Sequence, residues 1–137
     1  MELKDDGYCF GCGMKNPEGL RIEWVMDGQK TRASFVPKKM FQGFQDLVHG
    51  GILASVCDEA MGRLAWQLYG PAVVAEITVR YLQPASVGET LQVTGQVTKS
   101  KARLLLGTAQ ITRPDGTKIA EATAKLFLWK SSKDKKP

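Results

Sequence analysis

One histidine, His49, occurs in 137 residues. Cysteine is scarce as well: Cys9, Cys12 and Cys57 make an odd count with no disulfide framework. That usage fits a reducing compartment and predicts a cytoplasmic protein. No apolar run reaches the length of a membrane span, so no membrane partner is expected. The acidic, polar start Met1-Glu2-Leu3-Lys4-Asp5-Asp6 does not read as a signal peptide. Internal repeats and low-complexity segments are absent, and the length admits one domain with a real core, not two. Net charge is +5, but the last eight residues hold four lysines against one aspartate, which is +3 of that total. The body is only mildly basic. This excludes a nucleic-acid footprint and suits an anionic small molecule.

What is present centres on His49-Gly50-Gly51-Ile52-Leu53-Ala54-Ser55-Val56-Cys57-Asp58-Glu59-Ala60-Met61. The glycine pair opens a helix and leaves its first-turn N–H groups open to close approach. Those donors lack intrahelical partners, and the helix dipole favours negative charge there. A carbonyl oxygen gaining charge in a transition state would be stabilised at that point. A carboxylate at a fixed distance could serve as base or nucleophile. At 100° per residue, Leu53, Val56, Cys57, Ala60, Leu64 and Leu68 form one apolar stripe. Asp58 falls opposite its middle, among Ala54, Met61, Gly62 and Ala65. A carboxylate among small residues is costly without a task or a partner. Glu59 lies on a flank, where it either pairs with Arg63 at i+4 or borders the substrate.

Alternation of apolar and polar residues predicts a strand over Leu20–Met26 and another over Thr31–Val36, joined at Asp27-Gly28. Lys38–Val48 reads as a loop whose aromatics either tack it down or cover a site. The helix is expected over Gly50–Tyr69, stopped by Gly70-Pro71. Strands follow over Ala72–Leu82, Leu91–Thr98, Arg103–Thr112 and Ile119–Trp129, with turns at Lys99-Ser100-Lys101 and Arg113–Gly116. The class is therefore α+β: one long helix and an antiparallel sheet of about six strands that bury their apolar faces on each other. Residues 1–130 form the domain, with a Gly/Cys-rich segment at 1–18; residues 131–137 read as a basic, frayed tail. Small residues opposite the apolar stripe suggest that the helix is closed in from a second side, as by a second copy of the chain. The pair Cys9/Cys12 could be half of a zinc site, but only Cys57 and His49 remain to complete one. A tight Gly-rich turn with no metal is the expectation.

This order, with His49-Gly50-Gly51 at the helix start and Asp58 nine residues past His49, resembles the hotdog-fold acyl-CoA thioesterases of the phenylacetic-acid-degradation (PaaI-like) type. The likeness extends over nearly the whole chain. Cys9-Phe10-Gly11-Cys12-Gly13 with Asn16-Pro17-Glu18-Gly19-Leu20 is similar to the opening of one branch, as are Gly43-Phe44 and Val79-Arg80-Tyr81-Leu82-Gln83-Pro84. The resemblance implies a helix wrapped by a curved sheet, an acyl-CoA substrate, no cofactor, and a homodimer with the site at its interface, with pairing into tetramers open. It implies Asp58 as base or nucleophile, the Gly51 N–H as the group polarising the thioester carbonyl, and His49 with Gly50 shaping the turn. Asp58 of one chain would face Gly51 of the other.

Two positions depart from the pattern. Some relatives carry Asn or Gln where Gly43 stands, and Ser or Thr where Val74 stands; Gln42, Gln45, Asp46 or Thr78 could substitute. For the phosphates of coenzyme A, Lys101 and Arg103 in the basic turn are the candidates, against a merely solvated hairpin tip. The competing readings are a non-catalytic acyl-CoA-binding module, a hotdog dehydratase or hydratase, and a zinc-dependent interaction protein.

Overall fold

A computed structural model of the chain describes residues 1–129. The basic tail expected at 131–137 lies outside the described residues. Strands β1 (Val25–Asp27) and β2 (Lys30–Phe35) precede the helix α1 (Gly50–Tyr69). Strands β3 (Ala72–Tyr81), β4 (Leu91–Lys101), β5 (Leu104–Thr112) and β6 (Lys118–Leu128) follow it. They form one antiparallel sheet in the order β1-β2-β4-β5-β6-β3, with α1 against one face. β3 therefore ends the sheet at one edge although it follows directly on the helix.

Along α1 the side chains of Leu53, Val56, Cys57, Ala60, Met61, Leu64 and Ala65 are buried. The covered arc is wider than the stripe expected from periodicity. Met61 and Ala65, assigned to the Asp58 side, have no exposed surface, whereas Leu68 is only partly buried. A curved sheet touches more of the helix circumference than a flat one, so the buried arc widens. Close approach is made possible by Gly95 of β4. A Cβ there would lie 2.7 Å from the Ala60 carbonyl oxygen and from Thr31 Oγ1. Thr31, the buried polar residue of the core, donates its hydroxyl to that same carbonyl at 2.9 Å.

Two boundaries differ from expectation. Leu20 and Ile22 are buried, but the Leu20 N–H donates to the Phe10 carbonyl and the Ile22 N–H to that of Gly11. The N-terminal segment thus takes up their backbone groups, and β1 starts only at Val25. Lys99–Lys101 is strand rather than turn, because a register shift after Val97 lets β4 run on to pair Lys101 with Leu104. The turn is Ala102-Arg103, with Ala102 at φ 54°. In the Lys38–Val48 loop, Phe41 is buried 6.4 Å from Phe35, whereas Phe44 is 85% exposed.

Candidate functional site

His49 caps α1. Its backbone is extended, and its Nδ1 accepts the Gly51 N–H at 2.8 Å. The imidazole acceptor satisfies one of the donors that a helix start leaves unpaired. This geometry requires the tautomer with its proton on Nε2. The Ile52 N–H donates to the His49 carbonyl at 3.0 Å. From the sheet, the Tyr81 hydroxyl donates to the Gly50 carbonyl at 2.8 Å. Its ring lies 3.3 Å from the place of a Gly50 Cβ, so any side chain there would press on the ring. In the sequence Tyr81 stood out only as part of the Val79–Pro84 motif, with no role attached. Its role in holding the helix start needs the pairing of β3 beside α1.

Asp58 lies two turns along, on the side of the helix that carries Gly51. It is half-buried. Burial, and then the neighbouring Glu59 charge, raise its carboxyl above the ordinary aspartate range. It faces two adjoining depressions. One of about 370 Å³ is bounded by Cys9, Phe10, Ser55, Glu59 and Ile77. The other, of about 520 Å³, includes Cys12, Arg63, Trp66 and Val74. Val74, the place of the missing hydroxyl, thus does border the Asp58 depression. Gly43 adjoins the cap, since a Cβ on it would stand 3.3 Å from His49 Cα.

Other expected site residues stand elsewhere. Thr78 lines a depression on the opposite face of the sheet with Arg80, Thr94, Gln96 and Thr108. Side chains alternate along a strand, so Ile77 meets the Asp58 side and Thr78 cannot replace the missing hydroxyl in its own chain. The amide oxygen of Gln42 accepts the Asp46 N–H, and Asp46 pairs with Lys39. Lys101 and Arg103 lie at the sheet end shared by Leu104, Phe127, Leu128 and Ala72, where α1 finishes. Arg103 already donates from Nε and Nη2 to the Leu128 carbonyl at 3.2 and 2.8 Å.

Glu59 does not make the i+4 pair with Arg63. Its carboxylate turns to the N-terminal loop, 3.8 Å from Cys9 Sγ. Arg63 Nη1 pairs instead with Asp5 at 3.9 Å. The loop packs on the flank of α1, and this contact decided the rotamer. Burial and the Glu59 carboxylate together push the Cys12 thiol far above the ordinary cysteine range.

With this geometry in place, comparison with known proteins is informative. A family profile described as Thioesterase superfamily matches residues 45–120, which include the cap, Asp58, strands β3 to β5 and the start of β6. The chain is 29% identical over 116 residues to acyl-coenzyme A thioesterase THEM4 of Xenopus laevis. That match covers 81% of this chain and 52% of the relative, so the chain spans about half the length of that curated relative. Among solved structures, a thioesterase superfamily protein superposes with a TM-score of 0.82 at 21% identity over 90% of this chain and 61% of its own. The PaaI protein from the Escherichia coli phenylacetic acid degradation operon gives 0.76 at 22% identity, with 82% of each chain covered. A hypothetical thioesterase of Streptococcus pneumoniae, solved with coenzyme A, gives 0.73 at 20% identity over 77% of this chain and 86% of that one. The shared fold is the hotdog type, an antiparallel sheet curved around one long helix. No helix among the described residues is long and apolar enough to cross a membrane.

Proposed function

The chain belongs to the thioesterase superfamily, and from that premise we propose that it hydrolyses an acyl- or aryl-CoA thioester to the free acid and CoA, at a site built between two copies of the chain. The observation that carries this reading is the placement of Asp58 and Gly51 on one side of α1. Seven residues of helix separate them by about 10 Å. A carbonyl carbon under attack and the donor on its oxygen must lie within about 4 Å of each other. Along one helix the two groups stand awkwardly far apart for a single thioester. A two-fold partner with its helix reversed can bring them together, and it makes two such sites.

In this mechanism Asp58 takes a proton from water. Burial makes its carboxylate a stronger base than an exposed aspartate. Hydroxide adds to the thioester carbon, and the oxyanion takes the Gly51 N–H of the partner copy. In the single chain that N–H goes to His49 Nδ1, so the imidazole yields it to the substrate. The C–S bond then breaks and the departing CoA sulfur takes the proton held by Asp58. Lys101 serves the phosphates of CoA; Arg103, committed to the Leu128 carbonyl, adds charge.

A panel of alkyl- and aryl-CoA substrates, followed by loss of thioester absorbance, tests the activity. The shared site is tested by co-expressing Asp58→Asn with Gly51→Pro, each inactive alone. Random pairing makes half the dimers mixed, each with one intact site, so about a quarter of wild-type activity returns. No recovery from mixed dimers that fold normally would rule out a shared site. Saturable binding of CoA esters without turnover would instead favour the non-catalytic binding module. Single turnover in oxygen-18 water separates the two chemical routes: label inside Asp58 would mean that the carboxylate attacks directly.

A further inference from the structure

The N-terminal turn Cys9-Phe10-Gly11-Cys12-Gly13 has no part in the reaction just described, yet it is constructed closely around one point. Cys9 Sγ, Cys12 Sγ and a Glu59 carboxylate oxygen all lie within 4.8 Å of one another. Both Glu59 oxygens are 3.8 Å from Cys9 Sγ. A tetrahedral zinc ion with its usual bond lengths separates two sulfurs by about 3.8 Å and a sulfur from an oxygen by about 3.5 Å. The Cys9–Glu59 pair stands within a few tenths of an ångström of that spacing, and all three groups lie within about 1 Å of it.

The surroundings are equally specific. A Cβ at position 11 would lie 2.5 Å from Glu59 Cδ and Oε2, so only glycine lets the carboxylate reach the cysteines. A Cβ at position 13 would lie 2.3 Å from the Cys9 backbone nitrogen, and the Gly13 N–H closes the turn on the Cys9 carbonyl at 2.8 Å. Backbone bonds from Leu20 and Ile22 anchor the turn from behind. Arg63, one helical turn beyond Glu59, lies near enough to Cys12 to act on its charge. Its Nε is buried and has no acceptor among the described residues. Two thiolates and a carboxylate carry −3. A divalent ion offsets two of those charges, and the Arg63 guanidinium, which also pairs with Asp5, stands beside the third; its idle Nε–H is a ready donor to a metal-bound sulfur.

We propose that Cys9, Cys12 and Glu59 bind one divalent transition-metal ion of the zinc type, which clips the N-terminal loop to helix α1. Thiolate ligands select zinc over calcium or magnesium. Binding forms two metal–sulfur bonds and one metal–oxygen bond, and the two thiol protons leave to solvent. Water takes the fourth position. The ion holds a wall of the depression that Asp58 faces, and Glu59 becomes a ligand rather than a substrate contact. The inference does not depend on the thioester reaction.

The test uses the full chain without a histidine tag, reduced, loaded with Zn²⁺ or Co²⁺ and dialysed. Elemental analysis should find about one metal per chain, and cobalt should show the absorption of a tetrahedral thiolate complex. Cys12→Ser should abolish both signals, and Glu59→Gln should weaken binding on the order of tenfold or more. A measurement on the wild-type chain guards against misfolded variants. Zn²⁺ should slow alkylation of Cys9 and Cys12 at least about tenfold, read by mass spectrometry, with the buried Cys57 as internal reference. Equal alkylation with and without zinc, or metal retained by a Cys9→Ser/Cys12→Ser double variant, overturns the proposal.

Discussion

The two sides of helix α1 obey different rules. Toward the sheet it presents Val56, Cys57, Ala60, Met61 and Leu64, all without exposed surface. Away from the sheet it presents Gly51, Ser55, Asp58, Glu59 and Arg63, all polar or small and all partly open. The first side is bound by packing density, where a lost methylene is felt at once. The second holds charge in places where burial penalises it. Stability comes from the first and the proposed chemistry lies on the second, so changes on the two sides should fall into separate classes.

The largest expected effect is on the polar side. Asp58→Asn should lower kcat about 10²- to 10⁴-fold, the usual worth of a positioned general base. Its melting temperature should hold or rise, because a charge that burial penalises has been removed. A parallel fall in activity and melting temperature would erase the distinction between the sides. Leu64→Ala should do the reverse. It should cost about 2–5 kcal/mol of stability, read by denaturant unfolding, while the folded fraction keeps its kcat. Gly95→Ala is sharper, since the new methyl meets the Ala60 carbonyl oxygen and Thr31 Oγ1 at 2.7 Å. About 1–3 kcal/mol should be lost without any cavity.

Tyr81→Phe tests the place where the two sides meet. Removing its hydroxyl takes one bond from the Gly50 carbonyl. Stability should fall by only about 0.5–1.5 kcal/mol. KM and kcat should shift more than that loss implies if the helix start is part of the site. The smallest effect lies away from the helix. Glu89 accepts from Arg113 Nε at 2.7 Å and from the Ser86 N–H at 2.6 Å. The Arg113 bond holds its carboxyl below the ordinary glutamate range. With the folded value depressed, this contribution is present above the unfolded value and is lost as pH falls through the folded one. Glu89→Gln should therefore lower the melting temperature at pH 7 and make little difference at pH 3. An equal deficit at both would show that packing, not charge, was changed.

Much of the sheet was legible because β2, β4, β5 and β6 are half-buried and alternate. The β4 pattern from Leu91 to Val97 is an example, with every second residue buried. The helix start was legible because a histidine followed by two glycines can do little else before an apolar periodic run. The limits of local reading appear where two patterns compete for one backbone. Leu20–Trp24 alternates like a strand, yet its N–H groups go to Phe10 and Gly11. The i+4 rule drew Glu59 toward Arg63, and a loop some 50 residues away in sequence drew it to Cys9. Tyr81 gave no signal of its role, since a strand tyrosine is ordinary until the helix beside it is known.

By itself the sequence determined the elements: the Gly50–Tyr69 helix, its capped start, and a carboxylate that apolar periodicity leaves outside the core. These follow from local periodicity and backbone sterics, which need no distant partner. Only the tertiary structure decided that β3 closes the sheet edge, that Thr78 faces away from Asp58, and that two cysteines and a glutamate meet at one point. Those facts rest on contacts between residues far apart in the chain, and no rule of local spacing contains them.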